Sequence, residues 1–213
     1  MRLRLSARRL VVASWPVAPD AVRRAAPPGL EPASVDGECL ASVVAVAFGG
    51  GRLGRIPVMP FSQLNLRTYV EAEGEPAVLF LRSYVTPGGL PGILLGAPFR
   101  PARIRVREGF VRAPAAGVSL DFRVGGEADP GELGRHELGL YEAAGLKRFR
   151  VERGPAEWRS AEPVGEARAD GLLAVGLDVA GPPRIAVAGE TWFETDVPPK
   201  AQEPSSSASR SRR

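Results

Sequence analysis

Cysteine and histidine each occur once in this 213-residue chain, as Cys39 and His136. A single cysteine excludes an intramolecular disulfide and every multi-cysteine metal site, and it fits a reducing compartment. A single histidine excludes multi-histidine metal centres and leaves any histidine-dependent triad resting on one residue. His136 lies in Glu132-Leu-Gly-Arg-His-Glu137, the composition of an exposed face, so a surface role is expected. Cys39 opens the apolar run that ends at Phe48, where a thiol behaves as a small apolar side chain rather than a nucleophile. Lysine is also scarce: Lys147 is the only one before residue 200. Long apolar runs are missing as well. Arg2, Arg4, Arg8 and Arg9 ahead of Leu10-Val11-Val12-Ala13 look like the start of an export signal, but Ser14-Trp15-Pro16 cuts the run short. No stretch approaches the ~20 apolar residues of a membrane span, and a cytoplasmic protein without membrane contact is expected.

What is present describes an ordinary globular chain: 44% apolar, 24% charged and 7% aromatic residues. A chain of this length buries roughly 70% of its extended surface, so no structural metal is needed to hold it together. The pI of about 9.8 suggests nucleic acid, but the charge is unevenly placed. Lys200, Arg210, Arg212 and Arg213 against Glu203 give residues 200–213 a net +3, leaving +1 of the total +4 for the rest. The body has no excess with which to neutralise phosphates, so no specific nucleic-acid partner is expected. Residues 199–213 have too few apolar side chains to offset their ordering entropy and read as a disordered basic tail.

Short Val, Leu, Phe and Tyr runs alternate with 25 Gly and 21 Pro, the pattern of a many-stranded antiparallel protein. Strands are expected at Leu10–Ser14, Leu40–Phe48, Phe61–Val70, Ala77–Val85, Ala102–Arg107, Phe110–Ala113, Val118–Val124, Lys147–Glu152, Leu172–Val179, Arg184–Ala188 and Thr191–Asp196. Hairpins are expected at Glu71–Pro76 and Glu108-Gly109. A short helix should start at Asp20 as N-cap and end before Pro27-Pro28. Leu90–Leu95 makes one or two turns at best, and Pro130–Tyr141 reads as a third helix with Asp129 as its cap. Gly49-Gly50-Gly51 lacks the Lys-Ser/Thr of a phosphate loop and reads as a rim loop. Trp15, Trp158 and Trp192 read as core or cavity-wall aromatics. With no repeat and no linker, residues 1–198 form one domain.

Phe61–Val70 carries the most chemical information. Strand alternation puts Gln63, Asn65, Arg67 and Tyr69 on one face and Leu64, Leu66, Thr68 and Val70 on the other. Such a face meets either water or a polar pocket. Asn and Gln are poor strand formers, which favours a pocket. In the next strand Arg82 and Tyr84 alternate with Leu81 and Ser83; should the two polar faces coincide, two guanidinium groups and two phenols converge.

Trp15-Pro16-Val17, Pro28-Gly29-Leu30, Asp36-Gly37, Phe61–Val70, Ala77–Ser83, Pro98-Phe99-Arg100-Pro101-Ala102-Arg103, Leu140-Tyr141 and Trp158 resemble, in order and spacing, the bacterial YqjF-like family of unknown function. That family resembles acetoacetate decarboxylase in fold. The resemblance implies a mainly β (α+β) protein, a barrel or cone of antiparallel strands with a few short helices around a ligand-sized interior. Two departures bear on chemistry. Gln63 stands where the family carries glutamate, so a general base or arginine partner is replaced by a neutral amide. Acetoacetate decarboxylases attack their keto acid with a lysine that follows a proline and is activated by a neighbouring cation. The matching place here is Pro98-Phe99-Arg100, and a protonated guanidinium cannot form a Schiff base. Lys147 lies in an alternating stretch, Lys147–Glu152, that reads as a solvated face.

Two functional readings follow. One is a small-molecule protein, enzyme or binder, with a cavity for a carboxylate or carbonyl ligand and no Schiff-base lysine. In it Arg67 is the anchor, Asn65, Tyr69 and Gln63 orient the ligand, and Arg82 and Arg100 are further candidates. An inward Arg67 without a partner costs several kcal/mol, so a ligand, water or an acid such as Glu38 or Asp121 must satisfy it. The other reading is a noncatalytic structural or interaction module that keeps the barrel. Neither calls for a metal or cofactor, and a homo-oligomer is compatible with both.

Overall fold

The computed structural model describes residues 1–86, 98–129, 137–165, 167–197 and 200–201. Its strands are β1 (Arg2–Pro16), β2 (Glu31–Pro32), β3 (Leu40–Leu53), β4 (Ile56–Val58), β5 (Phe61–Ala72) and β6 (Glu75–Val85). There follow β7 (Phe99–Pro101), β8 (Arg105–Arg107), β9 (Phe110–Ala113), β10 (Val118–Glu127), β11 (Leu138–Glu142) and β12 (Leu146–Arg153). The last are β13 (Trp158–Pro163), β14 (Arg168–Ala169), β15 (Arg184–Ala188), β16 (Thr191–Asp196) and β17 (Lys200–Ala201).

Seven strands close into a barrel in the order β1, β3, β5, β6, β11, β12, β16, with β16 returning to β1. Every contact in that ring is antiparallel except β6 with β11. Closure removes the unpaired edges that an open sheet would leave. β1 is long enough to serve two layers. Its first half pairs with β16, and Leu10 to Ser14 pair with β15. From β15 a second sheet runs through β13 and β10 to β9 and β8.

This second sheet and helix α1 (Pro19–Ala25) bury the outer faces of β1, β3, β5 and β6 in the main core, which holds Val11, Ala13, Val43, Ala45, Leu64, Leu66 and Leu79. The sequence of β3 follows from that position. A strand covered on both faces reads as a continuous apolar run rather than an alternating one. Accordingly Ala41, Val43 and Ala45 enter the main core, while Val44, Val46 and Phe48 turn into the barrel.

The β5–β6 hairpin turns at Glu73 and Gly74, both with positive φ (55° and 80°), which matches the twist of the flanking strands. The three glycines at 49–51 are not a rim loop but part of β3. A Cβ on Gly51 would lie 2.2 Å from the Arg4 carbonyl oxygen, so only glycine lets β3 pass this close to β1.

Other elements differ from expectation. β1 begins at Arg2, eight residues before the expected strand, because Arg2-Leu3-Arg4-Leu5 alternates outward and inward. Ala102–Arg107 is a strand only in its second half, Arg105–Arg107, which is β8; Ala102 and Ile104 are buried between β7 and β8. Residues 172–179 are not a strand. Asp170–Leu173 forms a helical turn, and Leu172 and Leu177 plug the core from a coil that turns at Gly176. Residues 138–141, expected at the end of a helix, belong to β11, where Leu140 is fully buried and paired between β6 and β12. β13 was not expected. The cap of α1 is Ala18 rather than Asp20, which lies inside the first turn and ion-pairs with Arg23 instead. Lys200 and Ala201, placed in the tail by sequence, pair with β12. Residues 90–95, 130–136 with His136, and 202–213 lie outside the described residues.

Candidate functional site

The barrel encloses a cavity of about 710 Å³. Its wall follows from strand parity. From β5 come Gln63, Asn65 and Arg67; from β3, Val44, Val46 and Phe48; from β1, Leu3, Leu5, Leu10 and Val12. β12 contributes Phe149, Val151 and Arg153, and β16 contributes Phe193 and Thr195. The alternating polar face of Phe61–Val70 therefore turns inward.

Arg67 is the central side chain of this wall. Its Nη2 donates to the Tyr69 hydroxyl at 3.0 Å, and its guanidinium lies 5.4 Å from the Tyr69 ring centre. The Tyr69 hydroxyl also meets Ser42 Oγ at 3.2 Å, and Ser42 Oγ meets Ser14 Oγ at 2.8 Å. Arg67 Nε is buried and has no hydrogen-bond partner. The two acids considered as partners are engaged elsewhere. Glu38 pairs with Arg184 at 2.5 Å, and Asp121 takes a forked pair of bonds from Arg112 Nη2 at 2.6 and 2.7 Å. Neither reaches Arg67, because both arginines that hold them belong to the second sheet.

The remaining sequence candidates are distributed as follows. Gln63 Nε2 donates to Asn65 Oδ1 at 3.0 Å, so the two amides form one unit beside Arg67. Tyr69 is fully buried and does not line the cavity; it acts on the site through Arg67. Arg82 and Arg100 both line the cavity, Arg100 as an exposed residue of β7. The expected convergence of Tyr84 with Arg67 does not occur. A bulge at Leu81 shifts the β5–β6 register, so Ser83 stands across from Asn65 and Tyr84 across from Leu64, inside the main core. Bulges re-aim side chains in this way.

Three further groups belong to the site. Arg153 reaches the cavity from β12, three strands from β5 in the seven-strand ring and thus on the opposite wall. Burial, reinforced by the charge of Arg67, pushes its guanidinium below the usual arginine range. Thr195 Oγ1 is buried without a hydrogen-bond partner. Tyr141 lines the cavity with its phenol pushed up by burial. The signal for Arg153 was present in the sequence: Phe149, Val151 and Arg153 alternate with Arg148 and Arg150, whose charges turn outward to Glu73 and Glu75. Lys147 shares the inward parity at the end of β12 but does not line the cavity. Cys39 is half-buried against the core, its thiol pushed up by burial against an opposing pull from Arg23. Among the described residues no group of acidic, histidine and cysteine side chains could hold a metal ion, and no helix is long and apolar enough to cross a membrane.

A seven-strand barrel backed by a second sheet is the fold of the acetoacetate decarboxylase-like enzymes. Acetoacetate decarboxylase from Legionella pneumophila superposes with a TM-score of 0.66 at 11% identity, over 94% of this chain and 88% of that one. The enduracididine biosynthesis enzyme MppR complexed with pyruvate gives 0.62 at 19% identity, over 92% and 88%. An acetoacetate decarboxylase-like enzyme from Sphingomonas wittichii gives 0.60 at 16%, over 93% and 92%. At these identities the likeness establishes the fold alone. No curated protein matches the chain in sequence. The chain belongs to the DUF2071 family of uncharacterised conserved proteins, whose pattern matches residues 4–182.

Proposed function

We propose that the barrel interior binds a small molecule bearing a carboxylate or carbonyl group, anchored by Arg67 and oriented by the Gln63–Asn65 amide pair. Arg82 and Arg100 are further contacts on the cavity wall. The observation that carries this reading is the buried Arg67 Nε without a partner on a cavity wall. Arginines on the outer surface have carboxylates within reach, as Arg148 and Arg150 do, whereas among the described residues Arg67 bonds to the Tyr69 phenol and forms no ion pair. A guanidinium offers a carboxylate two parallel charge-assisted bonds, and the free Nε edge is one half of that fork. The pyruvate held by MppR in a barrel of the same fold supports a ligand of this chemistry. An open cavity of this size also supports binding over a packed structural module.

The ligand does not become attached through a lysine. Arg100 occupies the position that the family resemblance assigns to the nucleophile, and no lysine lines the cavity among the described residues. Borohydride added with a keto acid should trap no adduct on Lys147 or elsewhere; a stoichiometric adduct by mass spectrometry would overturn this. The anchor itself is tested by thermal shift across a panel of short-chain and keto acids. Ligand-induced shifts should appear for the intact protein and vanish in Arg67→Met. Shifts that persist unchanged in that variant would remove Arg67 from the site.

A further inference from the structure

The anchor reading leaves three features of the same cavity unused. A further guanidinium, Arg153, lines the wall opposite Arg67, where burial and the charge of Arg67 both disfavour its charged form. One short acid does not fill about 710 Å³, which falls within the range of about 300–1,000 Å³ typical of sites for drug-sized ligands. The lining also includes a continuous, largely apolar arc. Strands β16, β1 and β3 are consecutive in the ring and present Phe193, Leu5, Leu10, Val12 and Val46 inward, while β12 and β5, which flank this arc, carry the two arginines.

From this arrangement we infer that the ligand is an amphipathic carboxylic acid, its carboxylate held between Arg67 and Arg153 and its apolar tail laid along the β16–β1–β3 arc. The inference rests on the carboxylate reading above and specifies what the rest of the molecule must be. A carboxylate between the two guanidinium groups replaces a repulsion with two attractions, and the partial burial of the site strengthens both effects. The Arg153 guanidinium lies 5.1 Å from the ring centre of Trp158, which fixes its plane. The arc supplies the complementary half: apolar side chains that are buried in the fold yet line the cavity, whose contact with water a hydrocarbon tail would remove.

Calorimetric titration of the full chain with butanoate, hexanoate, octanoate and decanoate, kept below their micellar concentrations, tests the inference. Affinity should rise about fourfold per methylene until the arc is filled, the value expected for burying each CH₂. Octanol, which has the tail without the charge, should bind far more weakly than octanoate. Arg153→Met should weaken every acid by about tenfold or more while leaving the chain-length slope intact, and Arg153→Lys should restore part of the loss. Affinity that is flat with chain length but still lost in Arg67→Met would overturn the amphipathic assignment and leave the anchor standing. Absence of binding by every acid would remove both.

Discussion

Arg67 is a charged group that the fold half-buries without giving it a carboxylate. Its partners are a phenol and that phenol's ring, and the phenol in turn is held by Ser42 and Ser14 on the neighbouring strands. A cation in such a place opposes folding unless something else compensates it, and binding sites accept that cost for the affinity it provides. Removing the charge should therefore help the empty protein. Arg67→Met is expected to raise the melting temperature of the ligand-free chain by about 2–4 °C, the shift that roughly 1 kcal/mol produces in a domain of this size. Tyr69 keeps its bond to Ser42 in that variant, so no buried hydroxyl is left stranded. A clear loss of stability would mean that Arg67 is structural. That Gln63, Asn65 and Arg67 share one face was legible from alternation alone, since period two needs no knowledge of the partner strand; which way that face turns was not, and the inward reading leaned on the family resemblance. The partners were not: Glu38 and Asp121 are claimed by Arg184 and Arg112, which is decided by contacts far apart in sequence.

Strands in this protein are more informative than their length suggests, because each barrel strand backed by the second sheet serves two interiors. β3 looks like a plain apolar run, yet its odd and even positions enter different environments. β5 shows the alternation openly because one of its interiors is polar. What alternation cannot reveal is a break in its own phase. The bulge at Leu81 moves Tyr84 into the core and brings Ser83 opposite Asn65, which is why the sequence left the coincidence of the two polar faces open. The segment 172–179 failed for a related reason: an apolar run can fill a core from a turn as well as from a strand, and Gly176 with φ 86° permits the turn. At this scale the close pass of β3 over β1 is the feature most exposed to mutation. Gly51→Ala puts a methyl carbon 2.2 Å from the Arg4 carbonyl and 2.9 Å from Leu5 Cα. Neither backbone atom can move away without opening the ladder, and a loss of about 2–3 kcal/mol is expected in denaturant unfolding. A neutral substitution would show that the two strands are not held this tightly.

The whole molecule is a barrel whose walls were dictated by pattern and whose closure was not. Each strand of the ring could be located to within a few residues, apart from the first half of β1 and all of β11. The pairing of β6 with β11, which completes the ring in parallel, joins segments about sixty residues apart and has no local signal. Family resemblance supplied that closure, and the superpositions on acetoacetate decarboxylase-like enzymes agree with it. The fold does not carry the chemistry with it, since function resides in the groups that a given chain places on the walls. Here those groups include four guanidiniums, of Arg67, Arg82, Arg100 and Arg153, against the two carboxylates of Glu137 and Glu142, with a pair of amides and an apolar arc, a set suited to holding an acid. A crystal structure of the protein grown with octanoate examines that assignment directly. The account predicts a carboxylate oxygen about 2.7–2.9 Å from Arg67 Nε, with the hydrocarbon running toward Leu10 and Val46. A cavity holding only water at Arg67 under saturating octanoate, or an acid bound elsewhere on the molecule, would contradict it.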